Sequence, residues 1–206
     1  MMKEFWNNRY KSKEFAYGKT PNVFFKETLD QLKLSGKLLL PAEGEGRNAV
    51  YAAKSGLEVF AFDTSEEGKN KAMQLAKSEN VKIDYKVGAL NQLDFKENSF
   101  DVLALIYAHF PADVKLKLYS DLAALVKPNG YLILEGFSKS HLEFRKKNPA
   151  VGGPGDIEML FSKNEIKDAF KDFEIIKLEE VQVELKEGNF HNGLGSVIRF
   201  VGKKRT

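Results

Sequence analysis

The feature that most limits how this chain can fold is a change of rhythm in its last third. Up to Phe137, Lys37–Pro41, Glu58–Phe62, Lys82–Val87, Phe100–Ile106 and Tyr131–Phe137 read as short apolar strands, and Arg47–Lys54, Glu66–Ser78 and Ala112–Val126 as the helices between them. Strands alternating with helices make βαβ units, which require a parallel sheet. Beyond that point Phe173–Leu185 and Ser196–Gly202 both read as strands, joined by Lys186–Gly195 with no room for a crossover helix. Strands joined in this way run antiparallel. The expected architecture is α/β: five parallel strands finished by an antiparallel pair, with helices on both faces.

Local signals agree. Phe100–Ile106 is almost wholly apolar, as a strand covered on both faces must be. Val114, Leu118, Leu122 and Leu125 share one helical face. Ser65 is placed to cap Glu66–Ser78, and Ser162 with Glu165 forms a capping box opening Ser162–Phe170. Pro128-Asn129-Gly130 is a turn signal. A chain of 206 residues suits a single domain, divided here into an aromatic-rich helical cap (1–35), a core (36–137) and a C-terminal part (138–206).

Composition narrows the chemistry. There is no cysteine, which excludes disulfides, thiolate metal sites and a cysteine nucleophile, and no metal is expected. Lys and Arg number 32 against 29 acids, a net +3 that argues against nucleic-acid partners. Lys147 and its neighbours and Lys203-Lys204-Arg205 read as solvated surface and a frayed tail. The charged opening, MMKEFWNNRYKSKEF, is no signal-peptide core, and no apolar run reaches membrane-spanning length. The expectation is a cytoplasmic protein, monomer or homodimer.

Ala42-Glu43-Gly44-Glu45-Gly46-Arg47-Asn48-Ala49 follows the first strand directly. Glycines 44 and 46 allow a sharp turn and close approach to a ligand, and the next helix points amide donors at it. The spacing alone also matches a nicotinamide fingerprint. Glu43 and Glu45, however, would repel a pyrophosphate and tolerate a cationic ligand. Asp63 lies about 20 positions beyond Gly44, where a carboxylate can accept ribose hydroxyls; the alternative is a helix-capping acid beside Thr64 and Ser65.

The run GEGRNAVYAAKSGLEVFAFDTS, with FDVLALIY and LVKPNGYLILEGF, closely resembles the motifs of small class I methyltransferases related to the tellurite-resistance and thiopurine (thiol) enzymes, over roughly residues 36–137. The resemblance implies a Rossmann-like seven-stranded sheet with an antiparallel last strand and S-adenosylmethionine as cofactor. By position it assigns cofactor contacts to Glu43, Gly44, Gly46, Arg47, Asn48, Asp63, Thr64, Ser65, Ala89, Leu90, Ile106 and Tyr107. The chain departs from the pattern at three places. Leu40 stands for the usual first-strand acid, Ala42 for the first glycine, and Gly88-Ala89-Leu90 lacks a carboxylate. Glu43 is the nearest substitute for balancing the sulfonium.

The acceptor side is expected at Tyr107 and His109, after the fourth strand, with His109 a candidate general base or equally a structural histidine. Trp6, Tyr10 and Tyr17 form either a lid over the cofactor or a helix packed on the sheet edge. The glycine- and proline-rich loop Asn148–Asp156 suits the substrate side. His191 either reaches the same mouth or lies on the last hairpin, and Arg199 is expected at its surface. Methyl transfer to a small-molecule acceptor, a thiol or other soft nucleophile, is the leading reading. Its rivals are a nicotinamide-dependent oxidoreductase and a cofactor-binding module without catalysis.

Overall fold

In the computed structural model, which describes residues 2–206, seven strands form one sheet in the order β3-β2-β1-β4-β5-β7-β6. They are β1 (Lys37–Pro41), β2 (Glu58–Asp63), β3 (Asp84–Val87), β4 (Phe100–Ile106), β5 (Val126–Phe137), β6 (Phe173–Glu187) and β7 (His191–Lys204). The first five run parallel, and β7 is inserted antiparallel between β5 and β6. The helices are α1 (Met2–Tyr10), α2 (Val23–Leu32), α3 (Arg47–Lys54), α4 (Glu66–Ser78), α5 (Ala112–Ala124), α6 (His141–Lys147) and α7 (Lys163–Ala169). The Rossmann-like sheet with its antiparallel last strand is as the sequence implied.

The sheet separates two apolar layers. Side chains alternate across a strand, so Leu38 and Leu40 of β1 enter the layer with Phe25, Ala49, Ala52, Ala72 and Leu75 of α2, α3 and α4. Leu39 points the other way, into the layer with Tyr119, Leu122, Ile166 and Phe170 of α5, α7 and its C-terminal cap. The three β1 leucines are each at most 1% exposed, and burying one contributes about 1.5–3 kcal/mol.

Both predicted caps are present. The Ser65 hydroxyl accepts from the Gly68 amide at 3.0 Å. Ser162 and Glu165 exchange hydrogen bonds at 2.8 and 3.3 Å.

Three expectations about the strands need correction. Pro128-Asn129-Gly130 does not precede β5 but lies within it, as a bulge: β4 pairs Phe100 with Val126 and then Val102 with Tyr131. The turn chemistry is still used there, since Asn129 has φ of 65°. The last two strands extend to Glu187 and from His191, leaving only 188–190 as their turn. Finally, Lys203 and Lys204 are strand residues, not a frayed tail; the Lys204 ammonium donates to the Val126 carbonyl at 2.6 Å.

Candidate active site

In this strand order β1 lies between β2 and β4, so the chain runs outward in both directions from their junction. Ligands of open α/β sheets bind there, beyond the carboxyl ends of the strands. From Pro41 the backbone turns through Ala42, Gly44 and Gly46, with φ of 52°, 62° and 84°, into α3. Ala42 holds a left-handed conformation despite its β-carbon, at a cost of about 1–2 kcal/mol. Gly46 is required for packing as well: a β-carbon there would lie 2.5 Å from Cβ of Ala72 in α4.

Two carboxylates hold this turn. Asp63 accepts from the Gly44 amide at 3.1 Å and the Ser65 amide at 2.9 Å. Burial raises its pKa against those hydrogen bonds. Asp63 thus ends β2 at the switch point and fixes the start of α4. Glu43 Oε1 accepts from the Asn48 and Ala49 amides, both at 2.8 Å, and its Oε2 from Asn48 Nδ2 at 3.3 Å. Desolvation pushes the Glu43 pKa up to about 7. Glu45 is paired with Lys71 at 2.7 Å.

Deeper in, a polar cluster joins β5, β6, β7 and the segment before α2. Asn22 Nδ2 donates to Glu135 at 2.6 Å and to Glu187 at 3.3 Å, while its backbone amide donates to Asn48 Oδ1 at 2.9 Å. Arg199 donates to Glu135 at 2.6 Å, and the Tyr107 hydroxyl to Glu135 at 3.3 Å. Arg47 pairs with Glu187 at 3.1 Å, and Glu187 with His191 Nδ1 at 2.9 Å. Against the upward pull of burial, hydrogen bonds from His191 and Arg47 and the charge of Arg47 hold the Glu187 pKa down at about 2. Arg199 thus belongs to this cluster and is not a surface residue of the hairpin.

Sequence reading missed Asn22, Glu135 and Glu187. A signal existed for two of them. Glu135 is the lone charge in the run Tyr131–Phe137, and Asn22 precedes an apolar helical run, where it caps α2 by accepting from the Phe25 amide at 2.9 Å.

The N-terminal aromatics cover the glycine turn instead of the sheet edge. Trp6 stacks on Tyr10 with centroids 5.4 Å apart. A β-carbon on Gly44 would lie 2.6 Å from the Tyr10 hydroxyl, and Asn7 accepts from the Ser65 hydroxyl at 2.7 Å. Tyr17 receives Arg9 on its hydroxyl and Arg47 on its carbonyl, and its ring lies 4.5 Å from that of His191. Ala89 and Leu90 open a short 3-10 turn after β3, where Leu90 joins the same apolar layer as Ala42. Thr64 is half-buried between Asp63 and Ser65. Ile106 is buried within the sheet.

His109 is fully engaged. Its Nδ1–H donates to the Met159 carbonyl at 2.9 Å, and its Nε2 accepts from the Phe137 amide at 3.0 Å. Burial drives its pKa down to about 3. Neither nitrogen is left for a substrate, so the geometry favours the structural role over the general base. Among the described residues, no group of three or more His, Asp and Glu side chains is placed to hold a metal.

Residues 41–130 match the methyltransferase domain family. A ribosomal protein L11 methyltransferase of Campylobacter concisus (strain 13826) is 27% identical over 138 residues, 66% of this chain and 40% of that protein; the match thus spans about two fifths of that relative's length. Among solved structures, one described as converting a disulfide bond into a thioacetal group during echinomycin biosynthesis superposes with a TM-score of 0.78. It is 16% identical, covering 100% of this chain and 93% of that one. An S-adenosylmethionine-dependent methyltransferase from Methanosarcina mazei gives a TM-score of 0.67 at 19% identity, over 82% and 92% of the two chains.

The match of residues 41–130 to the methyltransferase domain family implies S-adenosylmethionine as cofactor. Asp63 ends β2 beside the glycine turn, and the cations Lys71, Arg47 and Arg199 are each paired with a carboxylate. Among the described residues these pairings leave none of the three cations free at the glycine turn, where Glu43 supplies a further carboxylate.

Proposed function

We propose that this protein transfers a methyl group from S-adenosylmethionine to a small-molecule acceptor, a thiol or other soft nucleophile. The observation that carries this reading is the placement of Glu43. A helix N-terminus at a glycine turn is an anion site, yet here the Asn48 and Ala49 amides already hold a carboxylate. A dinucleotide's pyrophosphate would meet that charge in place of free donors, which counts against the oxidoreductase. A sulfonium and an ammonium would meet it favourably.

In this reading Asp63 takes the ribose hydroxyls on its remaining lone pairs, and the turn from Ala42 to Gly46 receives the methionine part. Ala89 and Leu90 offer an apolar surface to the adenine. The cofactor, when bound, supplies an electrophilic methyl group on positively charged sulfur. The protein's task is then alignment, because in-line displacement gains most from orientation.

Because Tyr10 covers Gly44, a ligand seated on that glycine displaces this side chain, and α1 acts as the lid. The test is isothermal titration with S-adenosylmethionine, S-adenosylhomocysteine and NADH. Binding of the first two supports the reading and justifies a screen of thiol acceptors. Binding of NADH alone would replace it with the oxidoreductase, and binding without turnover on any acceptor class would leave a non-catalytic module.

A further inference from the structure

The chain has three histidines, and their surroundings differ in one respect. His109 uses both ring nitrogens, as described above. So does His141, whose Nε2–H donates to the Gly152 carbonyl at 3.1 Å and whose Nδ1 accepts from the Ser196 amide at 3.3 Å. His191 uses one: Nδ1–H donates to Glu187, and Nε2 has no protein partner among the described residues. Every side-chain polar atom that is fully shut off from solvent in these residues has a hydrogen-bond partner. Nε2 of His191 is therefore an atom that solvent reaches, on a ring that is otherwise 5% exposed.

The ring's neighbours place this atom at the reaction end of the sheet. Tyr107, the residue after β4, packs edge-on against it at 4.6 Å, and Phe137 at 5.1 Å. Tyr107 has φ of 52°, a strained conformation for an aromatic residue and one that concentrates at functional sites. Gly152, from the loop after α6, lies beside the same edge; a β-carbon there would be 3.4 Å from Nε2. Glu187 is itself fixed by Arg47, so the imidazole is held in one tautomer with its basic nitrogen outward. A carboxylate behind an imidazole is the arrangement that orients a histidine as a proton acceptor.

We propose that His191 is the general base that accepts the proton of the methyl acceptor, and that Glu187 is the residue that positions it. This rests on the methyl-transfer reading and deepens it by naming the acceptor class. That class is a compound whose attacking atom carries a removable proton, such as a thiol, an amine N–H or a hydroxyl. The acceptor's proton would go to Nε2, and the electron pair of its attacking atom would form the bond to the methyl carbon as the carbon–sulfonium bond breaks, its pair staying on sulfur and S-adenosylhomocysteine leaving; the imidazolium would then return the proton to solvent. A ring that stays neutral at pH 7 can do this, and burial keeps the His191 pKa below the usual histidine value.

The test is carbethoxylation with diethyl pyrocarbonate, which attacks a free imidazole nitrogen. It is followed at 240 nm, reversed with hydroxylamine and assigned by peptide mass spectrometry on the intact wild-type protein. His191 should react about tenfold or more faster than His109 and His141, where a hydrogen bond must break first. Saturating S-adenosylhomocysteine should suppress that reaction. His191→Gln should abolish the fast phase while calorimetry shows S-adenosylhomocysteine binding retained. Calorimetric binding without protection of His191, or equal reactivity of the three rings, overturns this inference alone. Absence of S-adenosylhomocysteine binding overturns the functional reading, and this inference with it.

Discussion

Asp63→Ala separates what this carboxylate does for the fold from what it does for the ligand. Its two oxygens accept from the Gly44 and Ser65 amides at 3.1 and 2.9 Å, in a side chain whose residue is 6% exposed. Truncation leaves two donors without a partner, at about 1–3 kcal/mol each. Part of that is offset because a desolvated charge is removed, so a net loss of about 2–4 kcal/mol is expected. For a chain of this size each kcal/mol shifts Tm by roughly 2–4 °C, which predicts a fall of roughly 5–15 °C by calorimetry or circular dichroism. Asp63→Asn retains one acceptor but turns an amide donor toward the other N–H, and should fall between the two.

The ligand arm compares S-adenosylhomocysteine with its 2′,3′-dideoxy analogue. Hydrogen bonds to a charged group are worth about 1.5–3 kcal/mol, so wild type should prefer the hydroxylated ligand by roughly tenfold to a hundredfold. In Asp63→Ala that preference should vanish. A Tm within about 2 °C of wild type, less than one kcal/mol at this size, together with an undiminished preference, would refute both halves of the reasoning.

Three further outcomes follow from the geometry. Gly46→Ala combines a left-handed φ of 84° with a β-carbon 2.5 Å from Cβ of Ala72, so urea denaturation should show a loss of about 2–5 kcal/mol. Ala72→Gly in the same chain should recover the packing share and leave the backbone share. Glu43 has its pKa raised from 4.5 to about 7, so the folded state holds a proton that the unfolded state has released between those values. Its contribution is full below pH 4.5 and lost as pH rises through 7, and Glu43→Gln should flatten that slope in the difference curve of Tm against pH. His109→Ala should cost about 1–3 kcal/mol through the orphaned Phe137 amide. Affinity for S-adenosylhomocysteine in the folded fraction should not change, and a selective loss of binding would contradict the structural role.

The sheet was legible because its signals are local. Alternating apolar runs, Ser65 and Ser162 at helix starts, and the short link before β7 each act within a few residues, and together they leave few topologies. The glycine turn and Asp63 were legible for the same reason. The cluster of Asn22, Glu135, Glu187 and Arg199 was not. One of its hydrogen bonds, from Asn22 to Glu187, spans 165 positions, and its members become neighbours only once β7 is inserted beside β5. Arg199 looked superficial because the guanidinium that reaches Glu135 belongs to a strand whose place in the sheet is set by tertiary pairing. His109 shows the converse: its position after β4 suggested chemistry, while hydrogen bonds to Met159 and Phe137 gave it a packing role.

The insertion of β7 between β5 and β6 has a kinetic consequence. β6 has no strand partner until β7 has been synthesised, and the pair joins at the tight turn 188–190 while β7 must also reach β5. The hairpin itself is local and fast to close, whereas docking joins Glu135 to Arg199 across 64 positions and bears the loop-closure entropy. His191 and Glu187 flank that same turn. The proton-accepting pair and the last step of sheet assembly therefore arrive together, and a nascent chain lacking the docked hairpin holds the glycine turn without the base. In a pulse-labelling hydrogen-exchange experiment, protection of the β5 and β7 amides should mark the moment at which the site becomes complete.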